Sequence, residues 1–166
     1  MRIYRETLLQ GSGVDIRVDA AVGLLLQNTD QSRDVLIAAL ESDENPLARQ
    51  AVCKALIKSR GLSQTIDSLE LFRDPLLEIL RGPSQEQAEL ASEAMLLFDY
   101  SELAEPLLQI INNKELTSDV RINGIYALQL RPEPSALRGL IGLLDDSDAE
   151  VAKAAETALQ EAFGIP

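Results

Sequence analysis

The sequence contains no histidine and no tryptophan, and it has one cysteine and only six aromatic residues among 166. Without histidine the chain cannot form a Ser-His-Asp triad, a Cys-His pair or a histidine-ligated metal site. The single thiol, Cys53, cannot form an internal disulfide, and its apolar neighbours predict a buried structural position. We therefore expect no catalytic residue, no metal and no cofactor, and we expect that the chain is not an enzyme.

Long apolar runs are also missing. No stretch approaches the roughly 18 consecutive apolar residues of a membrane span, and residues 1–6 lack the features of a signal peptide. The chain has 15 Lys and Arg against 27 Asp and Glu, a net charge of −12, which repels nucleic-acid phosphates. We expect a cytoplasmic protein that binds neither membranes nor nucleic acid.

A repeated pattern of small and long apolar residues runs along the chain. Position zero of the five copies is Arg17, Arg49, Ala88, Arg121 and Ala152. Counted from there, every copy has a small residue at position +6 and a long apolar residue at position +7. On a helix these positions share one face with positions −1 and +3. An apolar cluster of helical spacing precedes each copy, and turn-forming residues separate the two.

Each copy is thus predicted to be a helical hairpin, and no segment has the alternating pattern of a strand. The chain predicts one all-α domain, residues 1–166, with repeats at about 2–28, 30–59, 62–98, 101–130 and 133–163. Ser84 with Gln87, and Ser147 with Glu150, have the spacing of capping boxes. An insertion at residues 61–72 lengthens the third copy, and it either binds a ligand or is functionally neutral.

Several stretches resemble the HEAT repeat: Leu143-Leu144-Asp145-Asp146-Ser147-Asp148-Ala149-Glu150-Val151, Asp119-Val120-Arg121 with Ala127-Leu128, and Pro75 and Pro106 ahead of double leucines. The short period is similar to the HEAT-like repeats of the phycobilisome-lyase (PBS lyase) type. The resemblance implies a right-handed α-α superhelix, a HEAT/armadillo-type α-solenoid of about five hairpins whose second helices line the concave side. Ala88 and Ala152 depart from the pattern, which prefers arginine there, so any Asp-Arg ladder is interrupted at these copies.

Positions +1 and +5 lie opposite the packing face and are the predicted partner-binding residues of the concave side. They are Val18, Val22, Gln50, Lys54, Glu89, Glu93, Ile122, Tyr126, Lys153 and Thr157. An exposed pair of Ile122 and Tyr126 would anchor a partner peptide or helix. Alternatively, Tyr126 packs on a neighbouring turn, the two valines belong to the core, and the charged residues are simply solvated.

The expected function is a non-enzymatic scaffold that binds a protein or peptide partner. The resemblance also implies an alternative, a bilin lyase-like protein that handles a tetrapyrrole chromophore, and a third, a HEAT-like DNA glycosylase, which the acidic charge disfavours. Carboxylate clusters lie at turns, where capping and the helix dipole account for them. The last helix carries a polar outer side with Lys153, Glu156, Gln160 and Glu161, as a terminal cap requires. Residues 163–166 pack back, meet another chain, or continue into a larger protein.

Overall fold

A computed structural model describes residues 1–61 and 66–164. Within these residues the chain forms ten α-helices, two 3-10 turns and no strand, which confirms the all-α prediction. The α-helices are α1 (Arg2–Gln10), α2 (Val14–Gln27), α3 (Asp30–Glu41), α4 (Pro46–Ser59), α5 (Arg73–Leu80), α6 (Gln85–Ala94), α7 (Tyr100–Asn112), α8 (Ser118–Gln129), α9 (Pro134–Ile141) and α10 (Ala149–Phe163). The 3-10 turns are Leu69–Phe72 and Met95–Leu97.

The chain divides into two compact units, Met1–Ile79 and Leu80–Pro166. In the first unit α2 packs against α1, α3 and α4. In the second unit α8 packs against α6, α7 and α10, so three successive second helices are neighbours. The description of residues 1–166 as one continuous solenoid domain stays a prediction.

The repeated small and long residues form the core of both units. All five residues at position +7 are buried: Leu24, Leu56, Met95, Leu128 and Leu159. The small residues let helices approach closely. A Cβ added to Gly124 of α8 would lie 2.9 Å from Cγ2 of both Ile110 and Ile111 on α7. The packing face derived from the repeat is therefore confirmed on α8.

Arginines at position zero donate hydrogen bonds to backbone carbonyls at the carboxyl ends of the first helices. The Nε atom of Arg121 donates to the Ile111 carbonyl at 2.8 Å, and that of Arg49 donates to the Leu40 carbonyl at 2.8 Å. Arg17 donates from Nε to the Gly11 carbonyl at 2.8 Å. These bonds satisfy carbonyls that have no partner within their own helix.

Two helix starts were predicted to be capped by serine side chains, and one of the two predictions is corrected. Ser84 Oγ accepts a hydrogen bond from the Gln87 amide at 3.4 Å, which is the serine half of the predicted capping box. At α10, however, the N-cap is Asp148 and not Ser147. Asp148 Oδ1 accepts from the amides of Glu150 and Val151, at 3.0 and 3.3 Å. The carboxylate satisfies two free amides and complements the helix dipole, which a serine hydroxyl does less well.

The insertion of the third repeat is anchored at its carboxyl end. Phe72, in the 3-10 turn that leads into α5, is buried. The amide of Asp67 donates to Asn28 Oδ1 at 3.1 Å, which ties the insertion to the end of α2. The predictions that concern residues 62–65 and 165–166 lie outside the described residues.

Candidate partner-binding face

Three neighbouring helices of the second unit carry six of the predicted binding residues. These are Glu89 and Glu93 of α6, Ile122 and Tyr126 of α8, and Lys153 and Thr157 of α10. Lys153 is exposed and the other five are half-buried. Ile122 and Tyr126 belong to α8, which packs against both α6 and α10, so they are the middle pair of the predicted row.

The charges around Tyr126 are acidic. Burial, followed by the negative charges of Glu93 and Glu89, raises the pKa of the Tyr126 phenol. The hydroxyl therefore stays protonated and can donate a hydrogen bond at neutral pH. Glu89 accepts a hydrogen bond from Gln85 Nε2 at 2.9 Å, a contact that leaves its charge uncompensated. We call Glu89, Glu93, Ile122 and Tyr126 the acidic face.

The α10 end of the row is electrostatically balanced. Lys153 Nζ lies 2.7 Å from Glu156 Oε2, one turn along the same helix. Thr157 Oγ1 donates to the Lys153 carbonyl at 3.0 Å. Its hydroxyl is thus engaged within α10, and the net negative charge of the row comes from the two glutamates of α6.

In the first unit the predicted row is only partly accessible. Val22, Gln50 and Lys54 are half-buried. Val18 is buried, so it cannot contact a partner, and its inclusion in the row is corrected here. The physical reason is that α2 packs against three other helices of this unit, which cover an apolar side chain at position +1.

A buried ion pair in the second unit was not predicted as such from the sequence. Arg121 Nη2 lies 2.6 Å from Asp146 Oδ2, and Nη1 lies 3.2 Å from Oδ1, so the pair is bidentate. Both side chains are buried. The hydrogen bonds from Arg121 and from the Asp148 amide lower the pKa of Asp146 to about 2. The sequence feature that could have predicted this pair is an arginine at position zero followed by an acidic turn in the next repeat.

The same turn contains a second polar contact. Ser118 Oγ donates to Asp148 Oδ2, and this bond is the largest cause of the lowered pKa of Asp148. Both carboxylates are therefore ionised at neutral pH and hold α8 to the start of α10. Neither is suited to act as a general acid there.

The described residues offer little for metal or thiol chemistry. No group of three or more Asp, Glu, Cys or His side chains within residues 1–61 and 66–164 could hold a metal ion. Cys53 is buried as predicted, and burial raises the pKa of its thiol to about 12. In the same part of the chain no helix is long and apolar enough to cross a membrane.

A known protein family and a solved structure are similar to this chain. A family model described as HEAT repeats matches residues 73–160, which is more than half of the chain. No curated protein sequence gives a significant match. The solved structure of human deoxyhypusine hydroxylase in complex with glycerol is similar, with a TM-score of 0.56 at 15% sequence identity. The similarity covers 99% of this chain and 74% of the hydroxylase chain.

These findings confirm the α-solenoid fold and correct one prediction. We expected that the chain is not an enzyme, and the likeness to deoxyhypusine hydroxylase contradicts this, because an enzyme is built on the same fold. The error lay in treating the absence of histidine as an exclusion of catalysis in general. At 15% identity the likeness concerns the fold. The similarity to PBS lyase repeats stays a prediction.

Proposed function

Because the chain belongs to the HEAT-repeat family, we propose that it is a repeat scaffold whose acidic face binds a basic segment of a protein partner. The observation that supports this proposal is that the negative charges of Glu93 and Glu89, on the neighbouring helix α6, act on the Tyr126 phenol. Stacked repeats present extended surfaces made of many short helices, and such surfaces suit an elongated peptide or helix.

The chemistry of the acidic face favours lysine or arginine in the partner. A cation that lies over the Tyr126 ring is attracted by the ring face, and the two carboxylates offer ion pairs within reach of the same ring. Ile122 lies one helical turn before Tyr126 and supplies apolar contact for a neighbouring side chain of the partner. A basic residue next to an apolar one is therefore the predicted motif.

The whole chain supports the same partner chemistry. A net charge of −12 attracts basic segments at long range and raises their association rate, more strongly at low salt. It also repels acidic peptides, so the charge contributes to specificity as well as to affinity. Lys153 and Thr157 extend the row along α10, where they offer a polar margin to the contact.

A display selection tests this proposal. Random peptides are selected on the wild-type chain and on a Glu89→Gln/Glu93→Gln variant. We expect peptides with a basic residue beside an apolar one to be enriched on the wild type and lost on the variant. The matched control is Glu102→Gln/Glu105→Gln, which removes the same charge from α7 outside the acidic face. Equal enrichment on all three chains, or no basic preference, would refute the proposal.

A further inference from the structure

At the contact between the fourth and fifth repeats, the first helix of the fifth repeat packs on apolar side chains of the fourth. A Cβ added to Gly139 of α9 would lie 2.5 Å from Leu108 Cδ2 and 3.4 Å from Ile111 Cδ1, both on α7. These two apolar side chains therefore form the seat on which the next first helix rests. Ile111 is fully buried, and Leu108 is half-buried.

The corresponding seat of the fifth repeat is open. The apolar clusters of the two repeats align Leu108 with Ile141 and Ile111 with Leu144. Ile141 is 47% exposed and Leu144 is 43% exposed. A cleft of about 590 Å³ adjoins Leu144, and its lining combines the apolar Ala149, Ala152 and Leu159 with the charged Asp146, Lys153 and Glu156. We call Ile141, Leu144, Ala149 and Ala152 the end face.

The polar contacts of the preceding junction are replaced by apolar residues on the end face. Ser118 and Arg121 of α8 bind the carboxylates of the following turn. The residues at the same positions of α10 are Ala149 and Ala152. Glu161, predicted to lie on the polar outer side of α10, is exposed and accepts a hydrogen bond from Gln129 of α8 at 2.6 Å. Apolar side chains of the end face stay exposed beside the Lys153–Glu156 pair.

The chain itself contains a hairpin with a complementary open side. Ile16 stands one residue before position zero on α2 and is 50% exposed. The residues at this position in the second, fourth and fifth repeats are buried, and they are Ala48, Val120 and Val151. Ile3 of α1 is exposed as well. The first hairpin thus leaves exposed an apolar side chain at a position that is buried in three other repeats.

Charge favours this pairing over others. Residues 133–163 carry two basic and seven acidic side chains, a net charge of −5, whereas residues 2–28 carry three of each and are neutral. Among the five predicted repeats the first is the least acidic, so it meets the least repulsion at the end face. We propose that the end face binds the first hairpin of a second copy of this chain, in a head-to-tail contact.

Sedimentation equilibrium over a range of protein concentrations tests the contact. Measurements at about 0.15 M salt limit the range of charge repulsion to about 8 Å. We expect the average mass of the wild type to rise above that of the monomer as concentration increases, because head-to-tail contacts build either open chains or closed rings of several copies. Ile16→Glu and Leu144→Glu each remove one of the two surfaces, and each variant alone is expected to stay monomeric.

Mixing the two variants gives the decisive result, because each keeps the surface that the other has lost. We expect the mixture to form dimers of twice the monomer mass and nothing larger. This outcome also shows that both variants are folded. Leu71→Glu is the matched control, since Leu71 is 50% exposed like Ile16 but lies in the 3-10 turn before α5. It should associate as the wild type does.

Three results would overturn the proposal. One is a wild type that keeps the monomer mass at every concentration. Another is a mixture of the two variants that does not pair, or a single variant that dimerises by itself, which would indicate a symmetric contact. The third is a loss of association in Leu71→Glu equal to that in Ile16→Glu, which would indicate unspecific adhesion of apolar side chains.

Discussion

Arg121 performs two tasks at the junction between the fourth and fifth repeats. Its Nε atom donates to the Ile111 carbonyl at the end of α7, and its two Nη atoms bind Asp146 in the turn before α10. A guanidinium suits this position because its rigid fork satisfies a carboxylate and a carbonyl at the same time. Loss of either partner leaves a charge in a buried place.

Arg121→Met should therefore lower the free energy of unfolding by about 3–5 kcal/mol, the cost of leaving a buried carboxylate without its cation. The control is Arg2→Met, which removes an exposed pair with Glu6 at 3.7 Å and should cost less than about 1 kcal/mol. Urea unfolding measures both changes. Equal losses in the two variants would show that the buried pair contributes no more than a surface pair.

The acid sensitivity of the protein follows from the same carboxylate. The pKa of Asp146 is about 2 in the folded chain and about 3.8 ordinarily, so folding favours the ionised form. The resulting stability is present above pH 3.8 and is lost as the pH falls through about 2. In Asp146→Asn this contribution is absent, so the gap in melting temperature between wild type and variant should narrow as the pH falls through this window. A constant gap would contradict the assignment.

The sequence could predict the buried residues of each repeat but not this ion pair. Leu128 and Ala127 recur at fixed offsets in five copies, so their burial follows from the pattern alone. The acidic turn before α10, by contrast, holds several carboxylates that are equally able to cap a helix. Which one turns towards Arg121 depends on the backbone of the turn, and no sequence spacing encodes that choice.

At the scale of the element, two adjacent residues of α8 lie on different sides of the helix. Ala127 is buried against neighbouring helices, whereas Tyr126 is half-buried on the acidic face. A helix turns by about 100° per residue, so adjacent positions point in different directions. This difference makes α8 the best place to test the register of the repeat.

Ala127→Glu should lower the free energy of unfolding by several kcal/mol, because it places a charge between packed helices. Tyr126→Lys should change it by less than about 1 kcal/mol, since its side chain reaches water. Thermal unfolding followed by circular dichroism compares the two. A stable Ala127→Glu variant, or a strongly destabilised Tyr126→Lys variant, would show that the acidic face is misplaced.

The existence of the helices was predictable, and their local contacts were less so. The period of apolar residues fixed each hairpin, because burial of one face is common to all five copies. For Val18 the sequence left two alternatives, the binding row and the core, and the structure shows it buried, since position +1 is half-buried on α8 but covered on α2. The cover comes from neighbouring helices, whose approach depends on tertiary packing and not on the residue itself.

At the scale of the molecule, the fold and the charge indicate different things. The fold indicates a repeat framework, and the charge indicates the chemistry of a partner. The HEAT-repeat fold, shared in outline with a hydroxylase, determines a framework and not a chemistry. The charge of −12 and the carboxylates beside Tyr126 determine which surfaces a partner can approach. Six of the predicted residues belong to three neighbouring helices of the second unit, because hairpins of successive repeats stack, and their grouping on one surface stays a prediction.

The most direct test of the account is the affinity of a basic peptide, selected on the wild type, for the wild type and for Tyr126→Lys. Fluorescence anisotropy gives both dissociation constants, with Glu102→Gln/Glu105→Gln as the control. We expect Tyr126→Lys to weaken binding at least about tenfold, equivalent to about 1.4 kcal/mol, while the control stays within about twofold of the wild type. Equal affinities for the wild type and a folded Tyr126→Lys variant would contradict the claim that the acidic face is the binding site.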